Sequence, residues 1–232
     1  MALNRRRFLR NTALAASALG LPMLASSRVL GANEEILVAL VGCGGRSGEH
    51  AARLSGQKGV RIVAVADPDG KAADHRAKGL ELKLPGSKVE RFSDMRKMFE
   101  RKDIVAVSNA TMQYWHALST IWACQAGKHV YCEKPLAHFI WEGRQMVNAA
   151  RKYNRLVQCG TQQRSRPSTR QAIEWIRAGH LGKIRYITCF ANKPRVSCGK
   201  RSTPLPIPAT VDYDLWCGPA HKEPIYRDRL QY

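Results

Sequence analysis

The sequence predicts an α/β protein whose main body is a doubly wound parallel sheet, Rossmann-like in its layering, followed by an incomplete α+β domain. Three observations carry this. Ile36–Val41 is a continuous apolar run of the kind buried on both faces of a parallel sheet. A burst of glycine, Gly42, Gly44, Gly45 and Gly48, follows it and opens a helical pattern through Ala51, Ala52 and Leu54. Buried-type runs then alternate with helical patterns, the signature of parallel strands joined by right-handed crossovers.

Strand, glycine turn and helix bring backbone N–H groups and a helix N-terminus against a pyrophosphate. Gly42 permits the tight turn and Gly44 a close approach to phosphate. The third glycine of G-x-G-x-x-G would fall at Ser47, and Gly48 comes one residue late. A plain strand-to-helix turn is the alternative. Val60–Ala66 is the second buried strand and ends in Asp67, 19 residues past Gly48. That spacing suits the acid that holds a ribose hydroxyl. A carboxylate there repels a ribose phosphate, so NAD is favoured and NADP disfavoured. Alternatively, Asp67 only caps the turn Asp67-Pro-Asp-Gly70. A polar helix is expected over Lys71–Lys78, ending at Gly79, then a strand over Val89–Phe92. Ser93 is the expected cap of a helix over Asp94–Glu100. Ile104–Ser108 is the next strand, Asn109–Thr111 its exit loop, and the helix beyond stops at Gly127. Val130–Cys132, the helix Phe139–Tyr153 and Leu156–Cys159 complete the sheet. Ser168 is expected to cap a helix with Ala172, Ile173 and Ile176 facing inward. Ile184–Ala191 alternates like a strand of another sheet. Residues 192 to 232 carry six prolines and no periodicity, so they are expected to be mobile or loosely packed.

The N-terminus reads as a targeting segment. Asn4–Arg10 is a charged n-region, Thr12–Leu24 a short apolar region and Ala25-Ser-Ser27 a cleavage-type site. Residues 1–32 are set aside as a twin-arginine-type signal on Arg5-Arg6-Arg7-Phe8-Leu9, implying periplasmic export of a folded protein; an ordinary secretory signal is the alternative. The run is too short for a stable membrane span, so no membrane insertion is expected once it is removed. Net charge is +20, and residues 151–232 hold 16 Lys+Arg against 5 Asp+Glu. The basic residues are dispersed and carry no nucleic-acid motif, so no nucleic acid is expected. The seven cysteines form no C-x-x-C pair; they read as buried thiols, not a disulfide frame or a metal site, with Cys198 and Cys217 the least settled.

Chemistry is expected at strand ends, where open α/β sheets bind ligands. Four clusters fall there: the glycine loop, Asn109–His116, Cys132-Glu-Lys-Pro135 and Gly160-Thr-Gln-Gln-Arg-Ser165. Lys134 can point into a cleft, bind a substrate hydroxyl and have its pKa lowered by desolvation; a solvated loop lysine is the alternative. Glu133 can orient Lys134 or cap the next helix. His116 can face ribose or substrate, or be structural.

Gly42-Cys-Gly-Gly-Arg46, Gly127-Lys-His-Val-Tyr-Cys-Glu-Lys-Pro135 and Gly160–Ser165 together resemble the glucose–fructose oxidoreductase / inositol dehydrogenase / rhizopine-catabolism (Gfo/Idh/MocA) family, from about Glu35 onward. Asp214–Ala220 resembles a later loop of exported members. The resemblance implies an NAD(P)-binding Rossmann domain over 33–160, then the start of a substrate domain over 161–232, and hydride transfer at a sugar or cyclitol carbon. It makes Lys134 the catalytic lysine, with His116 beside it, and Pro135 a cis-proline. The implied cofactor contacts are Gly42, Cys43, Gly44, Gly45, Arg46, Asp67, Asn109, Thr111, His116, Glu133, Lys134 and Pro135; the implied substrate contacts are Lys134, Gln162 and Arg164.

The chain departs from the family pattern at Ser47, and at Met112-Gln113 where proline and Asn or Asp usually follow the threonine. It also stops before the motif that supplies the proton-transferring histidine. Dehydrogenase activity is therefore expected to be impaired by truncation, and a homo-oligomer is expected only with a full second domain. The competing readings are an NAD-dependent glycoside hydrolase of the same family and a non-catalytic nucleotide-binding remnant.

Overall fold

The computed structural model describes residues 35–190, 194 and 196–230. The targeting segment expected over 1–32 lies outside the described residues. The chain forms β1 (Ile36–Val41), α1 (Gly45–Ser55), β2 (Val60–Ala66), α2 (Gly70–Glu81), β3 (Glu90–Phe92), α3 (Met95–Phe99) and β4 (Ala106–Asn109). It continues through α4 (Gln113–Gln125), β5 (His129–Glu133), α5 (Ile140–Lys152), β6 (Val157–Gly160), a 3-10 turn (Gln162–Ser165), α6 (Pro167–Arg177) and α7 (Tyr213–Cys217).

The six strands form one parallel sheet in the order β3-β2-β1-β4-β5-β6. The order reverses between β1 and β4, which pair from Val38 with Ala106 to Val41 with Asn109. Ligands bind outside the strand ends at such a switch point. Alternation within β1 feeds two cores. Ala39 and Val41 pack with Val107, Met98 and Met146 on one side. Leu40 packs with Val65, Ala73, Ala77 and Leu80 on the other.

Several boundaries differ from the sequence-based expectation. Helix α2 runs through Gly79 to Glu81, because Ala73, Ala77 and Leu80 put a buried residue on each turn of one face. That packing outweighs the cost of about 1 kcal/mol for an interior glycine. Helix α3 is capped by Asp94, whose carboxylate accepts from Arg96 N–H at 2.8 Å, and not by Ser93. Strand β4 begins at Ala106 and extends to Asn109. Helix α6 starts with Pro167 at its first position instead of using Ser168 as a cap.

Helix α6 buries no residue, and Ile173 and Trp175 are exposed, against the expected inward face. Residues 184–190 form no strand; Ile184, Tyr186, Ile187 and Phe190 are exposed, and residue 191 lies outside the described residues. A strand needs a partner to complete its ladder. The expectation of loose packing after 192 fails over 210–218. There Gly70 N–H donates to Thr210 O, Asp212 N–H to Pro68 O, Tyr114 Oη to Trp216 O and Trp115 Nε1 to Leu215 O. Val211 and Cys217 are buried as a result. Cys43, Cys124 and Cys132 are buried as read, whereas Cys189 and Cys198 are exposed.

Candidate dinucleotide and active site

The apolar runs of the parallel strands β1 and β2 end together: after a one-residue register shift between Val38 and Ala39, Val41 pairs with Ala66, so Gly42 and Asp67 emerge side by side. Gly42 has φ +83°, and a Cβ there would lie 2.7 Å from Ala110 O. Only glycine accepts both the left-handed backbone and that approach. Helix α1 then starts at Gly45 with no side chain capping its first turn and no acid within it. Its first-turn N–H groups and the helix dipole favour an anion.

Asp67 is 7% exposed. Its Oδ2 accepts from Cys43 N–H at 2.7 Å and its Oδ1 from Asp69 N–H at 2.8 Å. Burial pushes its carboxyl up, against the pull of those two bonds. Each oxygen retains acceptor capacity for a hydroxyl.

A cavity of 380 Å³ opens over these strand ends. Its wall includes Gly42, Gly44, Gly45, Arg46, Asp67, Thr111, His116, Glu133, Lys134 and Gln162. Every one of these belongs to the sequence-expected set. The remaining members of that set sit elsewhere. Cys43 turns its thiol into the core beside Ala66 O, and burial together with the Asp67 charge drives its pKa up. Cys43, expected as a cofactor contact, is therefore off the cavity wall, and its backbone N–H is given to Asp67. Asn109 is 1% exposed; its Oδ1 accepts from Thr111 N–H at 3.1 Å and Thr111 Oγ1 at 2.7 Å. It shapes the loop after β4 and does not reach the cavity. Pro135 follows a cis peptide from Lys134 but stays off the wall, as does the exposed Arg164.

His116 needs the clearest correction. It is 1% exposed, with Nδ1 2.6 Å from Pro135 O and Nε2 3.2 Å from Thr111 O. Both ring nitrogens face backbone carbonyls, so the ring braces two loops and is not placed to carry a substrate proton. Lys134 is exposed on the wall, without the burial expected of it.

Glu133 joins three residues at the cavity wall. It is 4% exposed. Its Oε1 accepts from Arg46 Nε at 2.7 Å and lies 3.0 Å from His50 Nε2; its Oε2 accepts from Lys134 N–H at 3.2 Å. Burial pushes this carboxyl up, but the bonds from His50, Arg46 and Lys134 outweigh it and hold it below the usual range. His50 in turn reaches Ser108 Oγ at 2.8 Å. With its amide oxygen turned toward Arg46, Gln162 joins the network and donates to Gly160 O. Sequence reasoning missed His50, Ser108 and Trp216, which lines the cavity. The i, i+4 pair Arg46 and His50 on a glycine-opened helix was the available signal for the first. Among the described residues, no group of three His, Cys, Asp or Glu could hold a metal, and no helix is long and apolar enough to cross a membrane.

Comparison with known proteins agrees with this geometry. The chain is 35% identical over 159 residues to inositol 2-dehydrogenase 4 of Saccharopolyspora erythraea, covering 68% of this chain and 45% of that protein. It is 32% identical over 124 residues to levoglucosan dehydrogenase of Pseudarthrobacter phenanthrenivorans, covering 53% and 30%. Among solved structures, myo-inositol 2-dehydrogenase of Lactobacillus plantarum superposes with a TM-score of 0.59 at 27% identity, covering 65% of this chain and 43% of that one. Scyllo-inositol dehydrogenase of Lactobacillus casei, with NAD(H) and scyllo-inositol bound, gives 0.58 at 25%, covering 64% and 43%. The chain thus spans less than half the length of each of these relatives. Residues 36–161 match the Gfo/Idh/MocA oxidoreductase family with its NAD-binding Rossmann fold, and the chain belongs to that family.

Proposed function

We propose that this chain is the cofactor half of an NAD-dependent oxidoreductase acting on a sugar or cyclitol hydroxyl. The observation that carries the reading is one cavity that brings the glycine loop, Asp67 and Lys134 together at the sheet's switch point. The residues suit a dinucleotide: an uncapped helix start for the pyrophosphate and a buried carboxylate for ribose hydroxyls. NAD, when bound, supplies the hydride acceptor. Gly42 shapes the loop, and Asp67 accepts from the ribose and repels a phosphate there, which supports NAD over NADP. Glu133, fixed by Arg46 and His50, ties down the Lys134 backbone, and Lys134 binds and polarises the substrate hydroxyl. The sugar or cyclitol class is supported by what the named relatives act on.

Calorimetric titration with NAD and NADP tests the reading. Asp67→Ala is expected to weaken NAD about tenfold or more, the loss of a hydrogen-bonded charge, and to narrow the gap to NADP. No heat with either dinucleotide from the unsubstituted chain would reject it. We further propose export by the twin-arginine route, on Arg5-Arg6 before Phe8-Leu9. Lysine at both arginines should strand the precursor in the cytoplasm; unchanged recovery outside it would refute that route.

A further inference from the structure

We propose that Arg76 completes the dinucleotide loop of this chain, acting with Ser47 in place of the missing third glycine to aim the loop's peptide groups at a cofactor pyrophosphate. The inference rests on the dinucleotide reading above.

Ser47 stands where the usual fingerprint has glycine and is 1% exposed. Its Oγ donates to Gly44 O at 2.8 Å and accepts from Arg76 Nε at 3.0 Å. Arg76 Nη2 donates to Gly44 O at 3.0 Å and to Cys43 O at 3.3 Å. The guanidinium comes from α2, beyond β2, so one side chain staples the glycine loop to the next helix. A trans peptide points its C=O and N–H to opposite sides. Drawing the Cys43 and Gly44 carbonyls toward Arg76 therefore turns the Gly44 and Gly45 N–H groups the other way. Gly44 and Gly45 line the cavity, whereas Arg76 does not.

The late glycine now has a reason. A Cβ at Gly48 would lie 3.2 Å from Arg76 Nη1 and 3.3 Å from Nη2, so Gly48 makes room for the guanidinium. Arg76 is thus a positioning residue that acts through the loop.

The test is calorimetric titration of the full chain with NAD, ADP-ribose and adenosine, alongside melting curves. Arg76→Met should weaken NAD and ADP-ribose at least about tenfold, as expected for losing charge-assisted bonds, and leave adenosine, which has no pyrophosphate, unaffected. Arg76→Lys keeps the charge but loses the planar fork, and should weaken NAD comparably. Ser47→Ala added to Arg76→Met should cost no more than Arg76→Met alone, because both act in one chain of bonds. Should Arg76→Met fail to fold, Arg76→Lys and Gly48→Ala carry the test, the latter with a smaller loss. Unchanged NAD affinity in these variants, full rescue by lysine, or an equal loss for adenosine would overturn the proposal. An unsubstituted chain that binds no dinucleotide would overturn the underlying reading instead.

Discussion

Replacing Gly42 with alanine should cost stability by an amount the structure allows one to work out. The backbone there has φ +83°, which costs an L-residue about 1–2 kcal/mol. The new Cβ would sit 2.7 Å from Ala110 O, 2.8 Å from Ala110 C and 2.8 Å from Thr111 N. These are backbone atoms of the loop after β4, held by Ala110 N–H donating to Val41 O at 2.8 Å and by Asn109 gripping Thr111. They cannot rotate aside as a side chain would. Forcing them apart is an overpacking cost of about 1–3 kcal/mol. Together these come to about 2–5 kcal/mol, and the midpoint of about 3.5 kcal/mol corresponds to a melting temperature lowered by roughly 7–14 °C for a domain of this size. Differential scanning calorimetry on Gly42→Ala and the unsubstituted chain measures it. A variant melting within about 1 °C of the parent would refute the reasoning, because neither strain nor overlap would then be present.

Two further outcomes follow from the site and the docked segment. Glu133 is held below its ordinary value of 4.5, so its ionised form stabilises the fold above that value, and the contribution is lost as pH falls through the lowered one. Glu133→Gln should cost about 2 kcal/mol at neutral pH and flatten the acid limb of stability, read as urea midpoints across the acid range; parallel curves would contradict this. Trp115→Phe removes the bond from Nε1 to Leu215 O, worth about 1 kcal/mol. Limited proteolysis within 205–222 should then run about fivefold faster, following the open population; an unchanged rate would show that this bond does not hold the segment down.

Much of this protein is legible in the chain alone. The runs Ile36–Val41 and Val60–Ala66 are apolar throughout because a parallel sheet covered by helices buries both faces. Local pattern therefore sufficed to place these strands in a parallel, doubly wound sheet and the cleft at their ends, whereas the strand order came from the structure. The glycine loop, Asp67 and Lys134 were legible for the same reason: each directly follows a buried strand. Tertiary structure alone decided the partners. His116 and Asn109 carry suitable polar groups, and only their burial beside Pro135 O and Ser119 reveals that those groups are spent on loops. His50, Ser108 and Glu133 are 25 or more residues apart in sequence, so no local pattern joins them. Ser47 looks like a defect until Arg76 is brought beside it by the crossover of α2. The segment 210–218 has no long-range periodicity: Asp212 caps its one short helix, and its place on the fold comes from the β2 exit loop and from Tyr114 and Trp115. Residues 184–190 show the converse: strand-like alternation makes no strand without a neighbouring ladder to pair with, and these residues are exposed.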